Sequence, residues 1–154
     1  MPEGIASATG LVGAPPASVY RIIADYRQHH PRIVPPQYFT GLDVEEGGVG
    51  AGTRTRVRMR VLGRDSEFIH PIREPEPGRV LEEVDSAGAT TTRFTVEPAA
   101  DGAGASVTIE TRFRVRAGLL GLLQRGITGF VLHRIYRQEL ARLDEYARSG
   151  AGAD

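Results

Sequence analysis

Cysteine and lysine are both missing from this 154-residue chain. Without cysteine there can be no disulfide, thiol nucleophile or thiolate metal site, which suits a reducing, cytoplasmic compartment. A chain of this length buries roughly 68–70% of its unfolded surface, so it can hold a core without covalent staples, and it leaves little room for a second domain. With no lysine, every basic side chain apart from histidine is an arginine, and the 19 arginines are balanced by 19 Asp and Glu for a formal charge of zero. A nucleic-acid binder usually carries a net basic footprint, so nucleic acid is not an expected partner. The Arg-only usage, with abundant Gly, Ala and Pro, reads as the coding bias of a GC-rich, bacterial genome. Long apolar runs are lacking too. The most apolar stretch, Gly118 to Leu123, is far too short to span a bilayer, and the first residues, Met1 to Ile5, lack the basic region of a signal peptide. The expectation is a cytoplasmic protein with no integral membrane association.

What is present is periodicity. Ile5 to Val12 reads as a first strand. Pro15-Pro16 then opens a helix, since proline suits a first helical turn, and Val19, Ile22, Ile23 and Tyr26 follow at helical spacing. His29-His30-Pro31 and Pro35-Pro36 leave room for only a short second helical turn. From Leu42 the period drops to two. Its clearest expression is Thr53 to Val61, where Arg54, Arg56, Arg58 and Arg60 alternate with Thr, Val and Met, placing one set on each sheet face. Further strands are expected at Asp65 to Arg73, Arg79 to Asp85, Thr90 to Glu97 and Val107 to Arg116, separated by turn residues. Links this short imply an antiparallel meander. Leu119 to Arg148 returns to helical spacing, and residues 149–154 read as a flexible tail. Gly118, Gly121, Gly126 and Gly129 cost helix propensity and point to close approach or a kink. An antiparallel sheet with one apolar face must be covered, and only the last helix is long enough.

This order, with the Ala17 to Tyr26 helix, the Gly-rich turn ending in Gly52-Thr53, the Glu74 to Arg79 hairpin and the closing helix, resembles the superfamily of START lipid-transfer domains, the birch-pollen allergen and polyketide cyclases (SRPBCC). It is most similar to the polyketide cyclase/dehydrase-like branch. The resemblance implies an α+β helix-grip fold over one domain, residues 1–148: a curved antiparallel sheet of about seven strands around a long C-terminal helix, with two short helices after the first strand. Its members include carriers, cyclases, hydrolases and co-chaperones, so fold alone does not give function.

Several residues could carry chemistry. The Gly47 to Gly52 turn leads into a strand rather than a helix N-terminus, so it reads as a mobile hairpin turn, not a phosphate cradle. The Arg stripes should face solvent, paired with Glu67, Glu97 and Glu110. Adjacent His29 and His30 diverge and have no third ligand, so no metal site is expected. They read as exposed loop histidines, although in the resemblance this segment lies at the pocket mouth, where His29 or His30 could touch ligand. His70 shares parity with Phe68 and Ile72; facing a cavity, it would be held neutral by burial and suited to act as a base. The alternative is a core histidine bonded to backbone. Glu82 shares parity with Val80 and Val84 and could meet Arg134 in a polar floor that orients a ligand carbonyl or carboxylate. The opposite register, with Leu81 and Glu83 inside, is equally open. Tyr26, Tyr38, Val57, Met59, Phe68, Phe94, Phe113, Ile127 and Phe130 are candidate pocket wall, or simple core.

Three functions follow. The first is binding or transport of a hydrophobic small molecule, such as a lipid, isoprenoid or polyketide-like compound, in an internal cavity without a cofactor. The second is a polyketide cyclase/dehydratase-type enzyme with His70 and Glu82 as acid-base residues. The third is a protein-interaction or co-chaperone-like module using the outer arginines. Monomer and homodimer are both compatible with the sequence.

Overall fold

Alternation builds the sheet, and its parity decides which side chains meet the cavity. In the computed structural model, which describes residues 2–153, Thr55 and Val57 of β3 (Arg54–Val61) are buried while the arginines between them are partly or fully solvated. Met1 and Asp154, at the outer ends of the expected domain and tail, lie outside the described residues. The remaining strands are β1 (Glu3–Val12), β2 (Phe39–Glu46), β4 (Arg64–Glu76), β5 (Val80–Val84), β6 (Thr90–Pro98) and β7 (Ala105–Arg114). They form one seven-stranded antiparallel sheet in the order β1-β7-β6-β5-β4-β3-β2. Consecutive strands from β2 to β7 are neighbours, and β1 closes the far edge against β7, as expected for a meander in a helix-grip fold. Strand β4 is longer than its sequence pattern suggests. Its first part pairs with β3 and its end with β5, with a register irregularity between Arg73 and Glu76 that lets the strand bend.

On the outer face the arginines of β3 are each met by a carboxylate: Arg54 by Glu45, Arg56 by Glu45 and Glu67, Arg58 by Asp43, and Arg60 by Asp65. Such exposed pairs contribute little stability individually. On the inner face lies a continuous core that includes Val12, Ile22, Ile23, Leu81, Ile109, Ile135 and Leu143.

Helix α1 (Pro16–Ala24) buries Val19, Ile22 and Ile23, with Pro16 in the first turn, where its missing N–H is harmless. The turn α2 (His30–Ile33) follows. The Gly47 to Gly52 segment is tied down rather than mobile. The Gly48 carbonyl accepts the Tyr26 amide at 2.8 Å, and the Gly50 amide reaches Ala24 O at 2.9 Å. Arg27 adds two bonds to Gly47 O. The turn lies across the end of α1, and its groups replace the helix's missing partners.

Helix α3 (Leu119–Arg148) has 30 residues, so it runs about 45 Å and overshoots the sheet it crosses. Its C-terminal part packs through Ile135, Tyr136, Glu139, Leu140, Leu143 and Ala147. In its N-terminal part Leu119, Leu120, Leu122, Leu123, Ile127 and Phe130 are exposed. The glycines there divide. A Cβ on Gly121 would sit on the Arg116 carbonyl, whereas Gly126 and Gly129 have open space around them, so close approach explains only the first. The C-terminal segment folds back instead of hanging free: Gly152 is buried, its carbonyl accepts from Arg21, and Ala151 packs on the core. No described helix is long and apolar enough to cross a membrane.

Candidate functional site

Between the concave sheet face and α3 the core fails to close, leaving a cavity of about 100 Å³. Its apolar wall is Val57 and Met59 of β3, Phe68 of β4, Phe94 of β6, Phe39 and Leu42 of β2, Val34 beyond α2, and Leu132 and Ile135 of α3. The register explains this grouping. Val57 lies opposite Phe68, Thr55 opposite His70, and Leu81 opposite Phe94, so all point inward.

The polar lining gathers at one end: His30, His70, Glu83 and Glu139, with Thr90, Thr92, Thr111 and Tyr136 beside them. His30 is buried (2% exposed), and its Nδ1 lies 2.7 Å from Ile23 O. A carbonyl can only accept, so Nδ1 carries the proton and Nε2 is left bare in the neutral ring. That Nε2 faces Glu83 Oε1 at 3.7 Å and Glu139 Oε1 at 4.0 Å, both beyond hydrogen-bond reach. Burial lowers the His30 pKa, while Glu83 and the Ile23 contact pull it the other way. With burial dominant the imidazole is neutral at pH 7, so these contacts are not ion pairs.

Glu83 is anchored from below. Tyr26, fully buried, donates its hydroxyl to Glu83 Oε1 at 2.7 Å and stacks on His30 with ring centroids 4.3 Å apart. Burial first, then Glu83, push the Tyr26 phenol well above its ordinary value, so it remains a donor. The second oxygen of Glu83 stands 3.9 Å from His70 Nδ1, a buried nitrogen with no hydrogen-bond partner among the described residues. Glu139, 2% exposed, is pushed well above the usual carboxylate range by burial and then by Glu83. On the other flank, Thr92 and Thr111 hydroxyls meet at 2.7 Å, and Thr111 also bonds the Tyr136 hydroxyl. Among the described residues no three His, Asp or Glu side chains are placed to hold a metal ion together.

The model of the family described as polyketide cyclase / dehydrase and lipid transport matches residues 5–148. The chain belongs to that family. Among solved structures it is similar to the KanY protein (ms6282), with 28% identity, 96% of this chain and 99% of that one covered, and a TM-score of 0.83. It is also similar to the TTHA0849 protein of Thermus thermophilus, at 20% identity over 97% and 99% of the two chains with a TM-score of 0.77. A third likeness is to the Zhui aromatase/cyclase of Streptomyces sp. R1128, at 18% identity over 96% and 94%, TM-score 0.74. The last two show the fold alone. No curated protein matches the sequence.

Within this family member, the expected site residues divide. His30, Val57, Met59, Phe68, His70 and Phe94 line the cavity. Tyr26 sits behind it, holding Glu83. Tyr38 packs half-buried against the core, and Phe113 belongs to a satellite cluster with Ala6 and Val115; neither lines the cavity. Ile127, Phe130 and Arg134 do not line it either: Ile127 and Phe130 are exposed, and Arg134 is not part of the wall. They belong to the overhanging part of α3 or to its solvent side, because the inward stripe passes through Leu132, Ile135, Tyr136 and Glu139 instead.

Glu82 faces outward. Its oxygens are taken by Arg73 at 3.0 Å and Arg93 at 2.7 Å, its cross-strand neighbours. The Glu82–Arg134 floor therefore does not exist, and the inner carboxylates are Glu83 and Glu139. A signal for Glu139 is present in the sequence: it sits four residues after Ile135 and four before Leu143, on the one face of α3 that stays apolar to its end.

Proposed function

We propose that this protein binds a small hydrophobic molecule in the cavity under α3, with the ligand's polar end against His30, His70, Glu83 and Glu139. One observation carries the reading. A buried nitrogen with no partner among the described residues, His70 Nδ1, belongs to a side chain that lines the cavity where its apolar wall meets its polar end. Buried polar groups are normally satisfied, and leaving them bare is costly, so a guest that supplies the missing bond is favoured. The cavity is somewhat smaller than the roughly 150 Å³ that accommodates benzene in an engineered core, so a larger ligand such as a lipid or polyketide would require α3 to move outward. Its overhanging N-terminal part is the portion with least packing to lose. Native mass spectrometry of the purified protein tests this reading. Retained small molecules, lost when Leu132→Trp fills the cavity, support it; an empty protein that also binds no added aromatic compound removes it.

The alternative, a cyclase- or dehydratase-type enzyme, keeps His70 as its candidate and loses Glu82, which is held by Arg73 and Arg93. Proton transfer to a ligand carbonyl needs a titratable group within hydrogen-bond reach, and His70, with its unpartnered Nδ1 and its place in the cavity lining, is the group that favours this reading. Turnover of an aromatic polyketide that disappears in His70→Ala and persists in Glu82→Gln would support it. The third expectation, an interaction surface on the outer arginines, loses force because Arg54, Arg56, Arg58 and Arg60 are already paired with neighbouring carboxylates.

A further inference from the structure

The sign of the cavity's polar end is unusual for this chain. All 19 basic side chains other than histidine are arginines, yet among the described residues none of them lines the cavity. What faces the guest at that end is the carboxyl groups of Glu83 and Glu139 and the bare Nε2 of His30, with the His70 ring and the hydroxyls of Thr90, Thr92, Thr111 and Tyr136 beside them. Tyr26 Oη, the donor fixed on Glu83, approaches that carboxylate from the core. The side chains of His30 and Glu139 are each only 3% exposed, and they stand too far apart to bond each other. Three of the wall residues, Phe39, Phe68 and Phe94, are aromatic. The structure therefore combines carboxyl groups that no arginine neutralises, a bare imidazole nitrogen and aromatic faces in one space.

Those features reject an anion. A carboxylate or enolate ligand would meet the Glu83 carboxylate with no arginine to offset it, and like charges in a poorly solvated site repel strongly. They suit the opposite charge. We propose that the cavity selects a compact hydrophobic amine, its ammonium group taken by Glu83 and Glu139 and its apolar body held against Val57, Met59, Phe68 and Phe94. An ammonium has only donors to offer, and the carboxyl oxygens of Glu83 and Glu139 and the His30 Nε2 can accept them. Charge-assisted hydrogen bonds are roughly twice as strong as neutral ones, and aromatic faces add attraction for the cation. The proton balance is consistent. Burial and Glu83 hold Glu139 toward its neutral form in the empty protein, so seating a cation there draws the carboxylate back to its charged form and releases a proton. The proposal rests on the cavity being a ligand site, as argued above, and adds the chemical class of the ligand.

Isothermal titration of the full chain with four probes of one size, each asking the same outward shift of α3, tests both levels: benzylamine, benzyl alcohol, benzoate and toluene. The expected result is benzylamine binding roughly 10- to 100-fold more tightly than benzyl alcohol or toluene, the gain of one or two charge-assisted bonds, with benzoate not binding. In Glu139→Gln and in Glu83→Gln, each checked for native unfolding cooperativity, the amine preference should shrink to a few-fold while toluene binding persists. A preference that survives in both variants overturns the proposal. So does benzoate binding as tightly as benzylamine, or all neutral probes matching the amine; in those two cases the cavity reading stands and only the amine is lost. If none of the four binds, both readings fall.

Discussion

Tyr26 and Glu83 meet inside the core, the phenol donating to the carboxylate at 2.7 Å, and the same tyrosine ring stacks on His30. One side chain from just beyond the end of α1 thereby orients two polar groups that line the cavity. Tyr26→Phe keeps the stacking and removes the donor, leaving Glu83 with an unmet acceptor. Denaturant unfolding should show a loss of about 1–3 kcal/mol. A change below a few tenths would mean that Glu83 finds a replacement partner, such as water in the cavity.

Glu139 makes stability depend on pH in a direction opposite to that of an ion-paired carboxylate. Its folded-state value is raised above the ordinary 4.5, so the folded protein binds the proton more tightly than the unfolded chain. Stability from this group is full below about pH 4.5 and declines as pH rises through the raised value. His30 acts on the other side. Its value is lowered from 6.5 by burial, so its cost to stability appears as pH falls below that point. The groups facing this cluster are His70, Glu83, Tyr26 and Tyr136. Above about pH 6.5, where His30 is neutral in both states, the Glu139 contribution should dominate, with a slope approaching about 1.4 kcal/mol per pH unit at most. Glu139→Gln should therefore gain on the wild type as pH rises. Parallel stability curves for the two proteins would contradict the assignment.

The open surroundings of Gly126 and Gly129 predict a gain of stability. Neither would bring a new Cβ within 4 Å of another group, and both lie inside a regular helix. Gly126→Ala with Gly129→Ala should stabilise by up to about 1 kcal/mol each, read as a rise in melting temperature and slower amide exchange in residues 119–130. Gly121→Ala is the contrast. Its Cβ would collide with the Arg116 carbonyl, and the variant should be destabilised.

Leu62 turns the corner between β3 and β4 with φ of 52°, followed by Gly63 at 76°. Two positive φ values are what the tight hairpin turn demands, and Asn-Gly is its preferred pair. Leu62 is also 77% exposed. Leu62→Asn should raise stability by about 1 kcal/mol, visible as a higher melting temperature.

The sheet order, the closing helix and four of the nine apolar wall residues are legible in the sequence because each rests on local periodicity. Alternation along Thr53 to Val61 already separates Val57 and Met59 from the arginines, and His70 with Phe68 follows from the same rule. What local pattern leaves open is phase. Glu82 and Glu83 are adjacent acidic residues in a five-residue strand, so either could face inward. The choice is made by Arg73 and Arg93, which pair with Glu82 only once the neighbouring strands are in register. Helix α3 poses the same problem over a longer distance. Leu123, Ile127, Phe130 and Arg134 form a consistent helical stripe, but that stripe faces away from the cavity, and only the tertiary contact with β1 rotates Glu139 inward. There His133 Nδ1 meets Ser7 O at 2.7 Å, and Leu140 comes close to Gly10. The tail escapes local pattern for a related reason: a glycine-rich end looks free until a cleft fits it, and Gly152 packs where a side chain would strike Ile22.

A crystal equilibrated under xenon pressure examines the cavity itself, since xenon enters apolar voids without needing any polar complement. Anomalous density among Val57, Met59, Phe68, Phe94 and Leu132 is the predicted result. A structure with that space filled by side chains, and no xenon within it, would contradict the account at its root.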